Sequence, residues 1–106
     1  MKITLDSRSS ADAVFEALAD RHRRHVLCLL ARSEGETMSL NEVSEHIGAT
    51  LDSSVEAVET NLYHTDLPKL ERAGFVEYDE RSGVIRSRNC ELISKLQQLG
   101  FLDCTT

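Results

Sequence analysis

Residues 53–88 read SSVEAVETNLYHTDLPKLERAGFVEYDERSGVIRSR, and their pattern decides how the rest of the chain is built. Ser53 with Glu56 three positions later is a capping box, in which the serine oxygen and the glutamate side chain each satisfy an orphan backbone donor of a first helical turn. A helix is predicted to start there. Val55, Val58, Leu62, Leu67 and Leu70 recur mostly at three- to five-residue spacing, which buries one face and leaves Thr60, Asn61, His64, Thr65, Lys69 and Arg72 outward. Pro68 removes the donor that would bond to the His64 carbonyl, so a kink or a break near Asp66 is expected.

Gly74 stops the helix. Beyond it, residues 75–78 (FVEY) and 84–86 (VIR) are short and rich in β-branched or aromatic residues, and residues 79–83 (DERSG) have turn composition. A helix delivered straight into a charged hairpin is the reading end of a winged helix-turn-helix. The predicted fold class is mainly α with a small β-hairpin, holding five helices and a wing sheet of two to three strands.

The flanking sequence supplies the other helices. Ser9 or Ser10 can cap a first helix running to about Asp20, with Ala11, Val14, Phe15 and Leu18 on one face. Asp20 starts a second, basic over residues 21–25 and apolar nearly all round over 26–30, ended by a Ser33-Glu34-Gly35 turn. Three arginines within four residues invite a nucleic-acid reading, but five consecutive helical positions point in every direction, and arginine stems commonly lie over a core with their heads in water. A solvated face, with Arg24 bridging to an acidic neighbour, is the expectation.

Thr37 and Met38 can add an edge strand to the hairpin. Ser39 and Glu42 form a second capping box, opening a third helix from about Leu40 to Ile47 that Gly48 ends, with residues 49–52 as a long link to the next helix. After the hairpin, Asn89 caps a last helix over residues 90–99, with Leu92, Ile93, Leu96 and Leu99 in one stripe and Gly100 as its stop. The predicted division is a tail at 1–9, a winged helix-turn-helix domain at 10–88, and an amphipathic dimerisation helix with a tail at 89–106. Val14, Phe15, Leu92, Ile93, Leu96 and Leu99 are expected to pair first and last helices across a two-fold axis.

At 106 residues, with 41% hydrophobic and 28% charged residues, the chain has the composition of one ordinary globular domain. It has no apolar window of membrane-spanning length and no signal peptide, so a cytoplasmic location is expected. Cys28, Cys90 and Cys104 are odd in number and in no CxxC pair, which favours reduced thiols over a disulfide framework or zinc site, with Cys90 and Cys104 as the candidates for redox sensing. The four histidines make no metal pair with Cys or carboxylates, and no nucleophile and base stand in a catalytic spacing. No metal, cofactor, enzymatic activity or small-molecule effector is predicted.

The net charge of −6 has the wrong sign for affinity built on neutralising phosphates. In a very salty cytoplasm the objection weakens, because screening at 1 M salt acts over about 3 Å. Nine arginines against three lysines fit such a setting.

Three segments together resemble the small ArsR-like winged helix-turn-helix proteins of haloarchaea: residues 17–27 (ALADRHRRHVL), 40–47 (LNEVSEHI) and above all 67–79 (LPKLERAGFVEYD). The resemblance spans about residues 11–88. It implies a homodimeric transcription regulator that puts a recognition helix, about 54–73, in the major groove of double-stranded DNA and a wing, about 75–88, on the backbone or in the minor groove. The match places Thr60, Asn61, His64 and Thr65 at base-facing positions, and Arg81, Arg86 and Arg88 on or beside the wing. The Cys-x-Cys of the metal sensors in that group is missing here, so metal sensing does not carry over. Lys69 is expected on backbone phosphate, with Asn61 reading adenine. Two-fold symmetry would set the reading helices about 34 Å apart. The alternative is a winged-helix protein-protein interaction module without DNA binding, because residues 52–72 hold two basic against five acidic residues.

Overall fold

Local signals account for most of the elements that this computed structural model describes over residues 11–104. Helix α1 covers residues 11–18, so it stops short of Asp20. The predicted cap at Ser9 or Ser10 and the 1–9 tail lie outside the described residues. Asp20 caps α2 (Arg21–Arg32) by accepting from the His22 amide. Strand β1 (Thr37–Ser39) leads into α3 (Leu40–Leu51), whose capping box is complete: Glu42 N donates to Ser39 Oγ at 3.0 Å and Ser39 N donates to Glu42 Oε1 at 3.1 Å.

The turn after α3 differs from the expectation. Gly48 does not end the helix, which continues to Leu51 and stops at Asp52 in a left-handed conformation with φ 55°. Gly48 is required for closeness instead: a Cβ there would lie 3.0 Å from the Ser53 carbonyl oxygen and 3.4 Å from Val55 Cγ2. The long link therefore shrinks to a tight turn, and the cap of α4 (Val55–Asn61) is Ser54, which accepts from Ala57 N at 3.0 Å, one residue after the predicted Ser53. That shift leaves Val55 exposed where burial was expected.

The break foreseen at Pro68 is a π-helical segment, Leu62–Asp66, followed by α5 (Leu67–Arg72) with the proline in its first turn. With α4, the π segment and α5 taken as one interrupted helix, the described residues hold five helices. Gly74, at φ 82°, turns the chain into β2 (Val76–Asp79) and β3 (Val84–Ser87). The three strands form an antiparallel sheet in the order β1-β3-β2, with Ile85 facing Met38 on one side and Tyr78 on the other. Asn89 caps α6 (Cys90–Gln98), and Gly100 stops it at φ 87°.

The core gathers Val26, Leu27 and Leu30 of α2, Val43 and Ile47 of α3, Leu62, Leu67 and Leu70 of the interrupted helix, and Phe75 and Ile85 of the sheet. Ile93, Leu96 and Leu102 join the same core, so α6 and the segment after it are part of the domain. This is a mainly helical fold with a small three-stranded sheet, compatible with a winged helix.

Two expectations about α2 are corrected. Arg23 is buried, and with Arg24 it caps the end of α1: Arg23 Nη2 donates to the Glu16 carbonyl at 2.8 Å, its Nε to Ala17 O at 3.0 Å, and Arg24 Nη1 to Leu18 O at 2.6 Å. Arg24 meets a carbonyl rather than an acidic side chain because the last turn of a helix leaves its acceptors unpaired. Cys28 and Cys104 form a disulfide across 76 residues of sequence, with Cα atoms 5.3 Å apart, so neither is the reduced thiol expected. The segment after α6 folds back along α2, a closure that cysteine spacing does not encode.

Candidate nucleic-acid interface

The interface is built by holding the interrupted helix between α3 and the wing. On the α3 side, the close approach at Gly48 sets where α4 begins. On the wing side, three contacts fix the angle. Tyr78 N donates to Glu71 Oε2 at 3.0 Å, the Tyr63 hydroxyl donates to Glu80 Oε1 at 3.2 Å, and the Tyr63 and Tyr78 rings meet edge to face at 6.1 Å. Tyr63, absent from the positions expected at the interface, therefore joins the helix to the wing; its signal in the sequence is an aromatic ring among outward polar residues. The Glu80 carboxylate raises the pKa of the Tyr63 phenol, which keeps its proton for that bond.

The wing tip is organised by Asp79. Its carboxylate accepts from Arg81 N at 3.2 Å and Ser82 Oγ at 2.9 Å, and its carbonyl accepts from Gly83 N at 2.7 Å. The Gly83 carbonyl in turn accepts from Leu40 N at 2.8 Å, which ties the tip to the start of α3.

Ala57, Thr60 and Asn61, at the i, i+3, i+4 spacing of one face of α4, and His64 in the π segment that follows are all exposed. That stripe carries no carboxylate. Arg81 and Arg86 are exposed on the wing, and among the described residues no salt bridge reaches either. The other expected contacts are engaged within the chain. Asn61 Nδ2 donates to Asp66 Oδ2 at 3.1 Å, so one of the two groups needed to grip adenine is occupied. Lys69 Nζ lies 2.9 Å from Glu16 Oε2, and Arg88 Nη1 lies 3.1 Å from Glu77 Oε1. The Lys69 ammonium holds the Glu16 carboxyl below its usual range. Thr65 is half-buried.

Asp66, the last residue of the π segment, turns into the interior. Its carboxylate is buried and accepts from Arg23 Nη1 at 3.0 Å, and burial pushes its pKa up against the pull of that guanidinium. Among the described residues, no group of three His, Cys, Asp or Glu side chains stands close enough to hold a metal ion. No helix among them is long and apolar enough to cross a membrane.

Of the six residues expected at a dimer interface, Ile93 and Leu96 are buried in the chain's own core, and Val14 and Leu92 are half-buried against it. Phe15 and Leu99 are 67% and 71% exposed. Phe101, which the sequence reading did not single out, is 61% exposed, and it lines with Val14, Phe15, Leu18 and Leu96 an apolar groove of about 300 Å³.

Residues 15–86 match DUF7344, a domain of unknown function. The chain belongs to the DUF7344 family. The matched span runs from within α1 to within β3, so it takes in the interrupted helix and most of the wing and leaves α6 outside. No curated protein and no solved structure matches this DUF7344 chain.

Proposed function

We propose that this DUF7344 chain is a DNA-binding transcription regulator of the ArsR-like kind, working in the cytoplasm as a homodimer. The observation that carries this reading is the uncharged exposed stripe of Ala57, Thr60, Asn61 and His64, held between the α3 turn and a wing bearing Arg81 and Arg86. Short polar side chains on a helix face suit base edges in a major groove, and the wing arginines suit phosphates. The exposed Phe15, Leu99 and Phe101 supply the apolar surface for pairing two copies.

The test is selection of bound sequences from a randomised DNA pool by the purified chain, repeated from low to molar KCl. The expected result is enrichment of a near-palindromic motif whose affinity falls as salt rises. No enrichment at any salt would overturn the reading in favour of a protein-interaction module, which the net charge of −6 favours.

A further inference from the structure

We propose that the arginine-lined cavity beside α2 is a docking site for a small anionic thiol, which reduces the Cys28–Cys104 disulfide there and frees the segment after α6. The cavity measures about 270 Å³, and both cysteines of the disulfide line it. Among the described residues its walls carry Arg21, Arg24 and Arg32 together with His25, and one carboxylate, Asp103. Burial, followed by the charge of Arg32, holds His25 below the usual histidine range, which agrees with a locally positive field. A positive pocket concentrates anions from a solution that the chain as a whole, at −6, repels.

The chemistry is thiol-disulfide exchange. A thiolate of the incoming ligand attacks Cys104 Sγ, forming a mixed disulfide, and the Cys28–Cys104 bond breaks with its electron pair leaving on Cys28 Sγ. A second thiolate attacks the ligand sulfur of the mixed disulfide and releases Cys104. Two protons from the thiols end on the protein: the two cysteines are reduced, and two thiols are oxidised to one ligand disulfide. The basic lining of the cavity favours the thiolate that leaves in the first step, and a better leaving group speeds exchange. Cys28 itself is buried and Cys104 is partly exposed, which sets the direction of attack. Cys90 is no competitor: its thiol donates to Glu36, and that hydrogen bond pushes its pKa up.

Leu102 anchors the near end of the segment that is released. Leu102 is buried in the core, its amide donates to Leu96 O at 3.2 Å, and the Phe101 amide donates to the same oxygen at 2.9 Å. Past Leu102, the disulfide is the covalent tie to α2.

The oxidised chain is reduced in parallel with 2-mercaptoethanesulfonate and with neutral 2-mercaptoethanol, and the ratio of the two rates is compared with that for an uncharged model disulfide. The ratio is expected to favour the sulfonate about tenfold over the model disulfide, to fall as KCl rises, and to fall in Arg21→Gln, whose exposed side chain makes no ion pair among the described residues. A ratio equal to that of the model disulfide, or one indifferent to Arg21→Gln, overturns the docking site. Hydrogen exchange at Leu102 tests the release: the amide should exchange about tenfold or more faster after reduction and in Cys104→Ser. Unchanged protection in both overturns it.

Discussion

Arg23 of α2 and Asp66 at the end of the π segment, 43 residues apart in sequence, meet at 3.0 Å in the interior of the domain. The pair joins three elements, since Arg23 also donates to two carbonyls of α1 and Asp66 also accepts from Asn61 of α4. Removing one partner of a buried pair strands the other. Asp66→Ala is therefore expected to cost about 3 kcal/mol or more in urea unfolding, while Arg23→Met combined with Asp66→Leu costs less than the sum of the single changes. A cost for Asp66→Ala no larger than that of a surface substitution would show that the pair does not hold α1 and α2 to the interrupted helix.

On the reading face, His64→Ala is expected to change which bases are preferred at one position of an enriched motif, by about 1–3 kcal/mol of discrimination. Arg86→Ala should weaken all sequences alike and lessen the salt dependence. Competition binding against single-base variants measures both. Identical effects from the two variants would contradict the division of labour between stripe and wing.

The two kinds of apolar residue on α1 and α6 have separable roles. Phe15→Glu, at an exposed site, should leave the thermal midpoint within a few degrees while turning a dimer into a monomer in sedimentation experiments. Ile93→Glu puts a charge into the core and should unfold much of the chain. A Phe15→Glu chain that still sediments as a dimer would move the interface elsewhere.

His25 makes stability depend on pH in a calculable direction. Its folded pKa lies below the ordinary 6.5, first through burial and then through Arg32, His46 and His22. Between the folded and unfolded values the unfolded chain binds more protons, so this group's contribution is complete above the unfolded value and is lost as pH falls below it. Unfolding midpoints should drop between pH 7 and pH 5 and drop less in His25→Gln. Equal slopes for the two chains would remove His25 as the cause.

The sequence was legible where the determinant was local. Ser39 and Glu42 sit three residues apart, so the capping box that opens α3 could be read directly, as could the Asn89 cap, the Gly74 stop, the added strand at Thr37 and the break near Pro68. Gly48 misled because a glycine that ends a helix and a glycine that lets another backbone approach look the same in one dimension. Arg23 with Asp66 and Cys28 with Cys104 were out of reach because each meeting depends on folding 43 and 76 residues of chain between them. In the candidate interface, Thr60, Asn61 and His64 were placed outward by periodicity alone. That Asn61, Lys69 and Arg88 would be held by Asp66, Glu16 and Glu77 was not visible, since acidic partners are scattered along the chain and only packing selects among them.

The π segment Leu62–Asp66 also governs which changes in length the chain can absorb. One residue more per turn than an α-helix rotates everything downstream by about 100° relative to α4. Deleting a single residue there would restore unbroken α geometry with Val58, Leu62, Leu67 and Leu70 spaced by four, four and three, which keeps the core stripe; adding one would swing Leu67 and Leu70 out of the core and carry Glu71 away from Tyr78 and the wing. The interrupted helix can therefore lose a residue but not gain one, while the hairpin tip, tied through Gly83 to Leu40, is held to its length by its own hydrogen bonds.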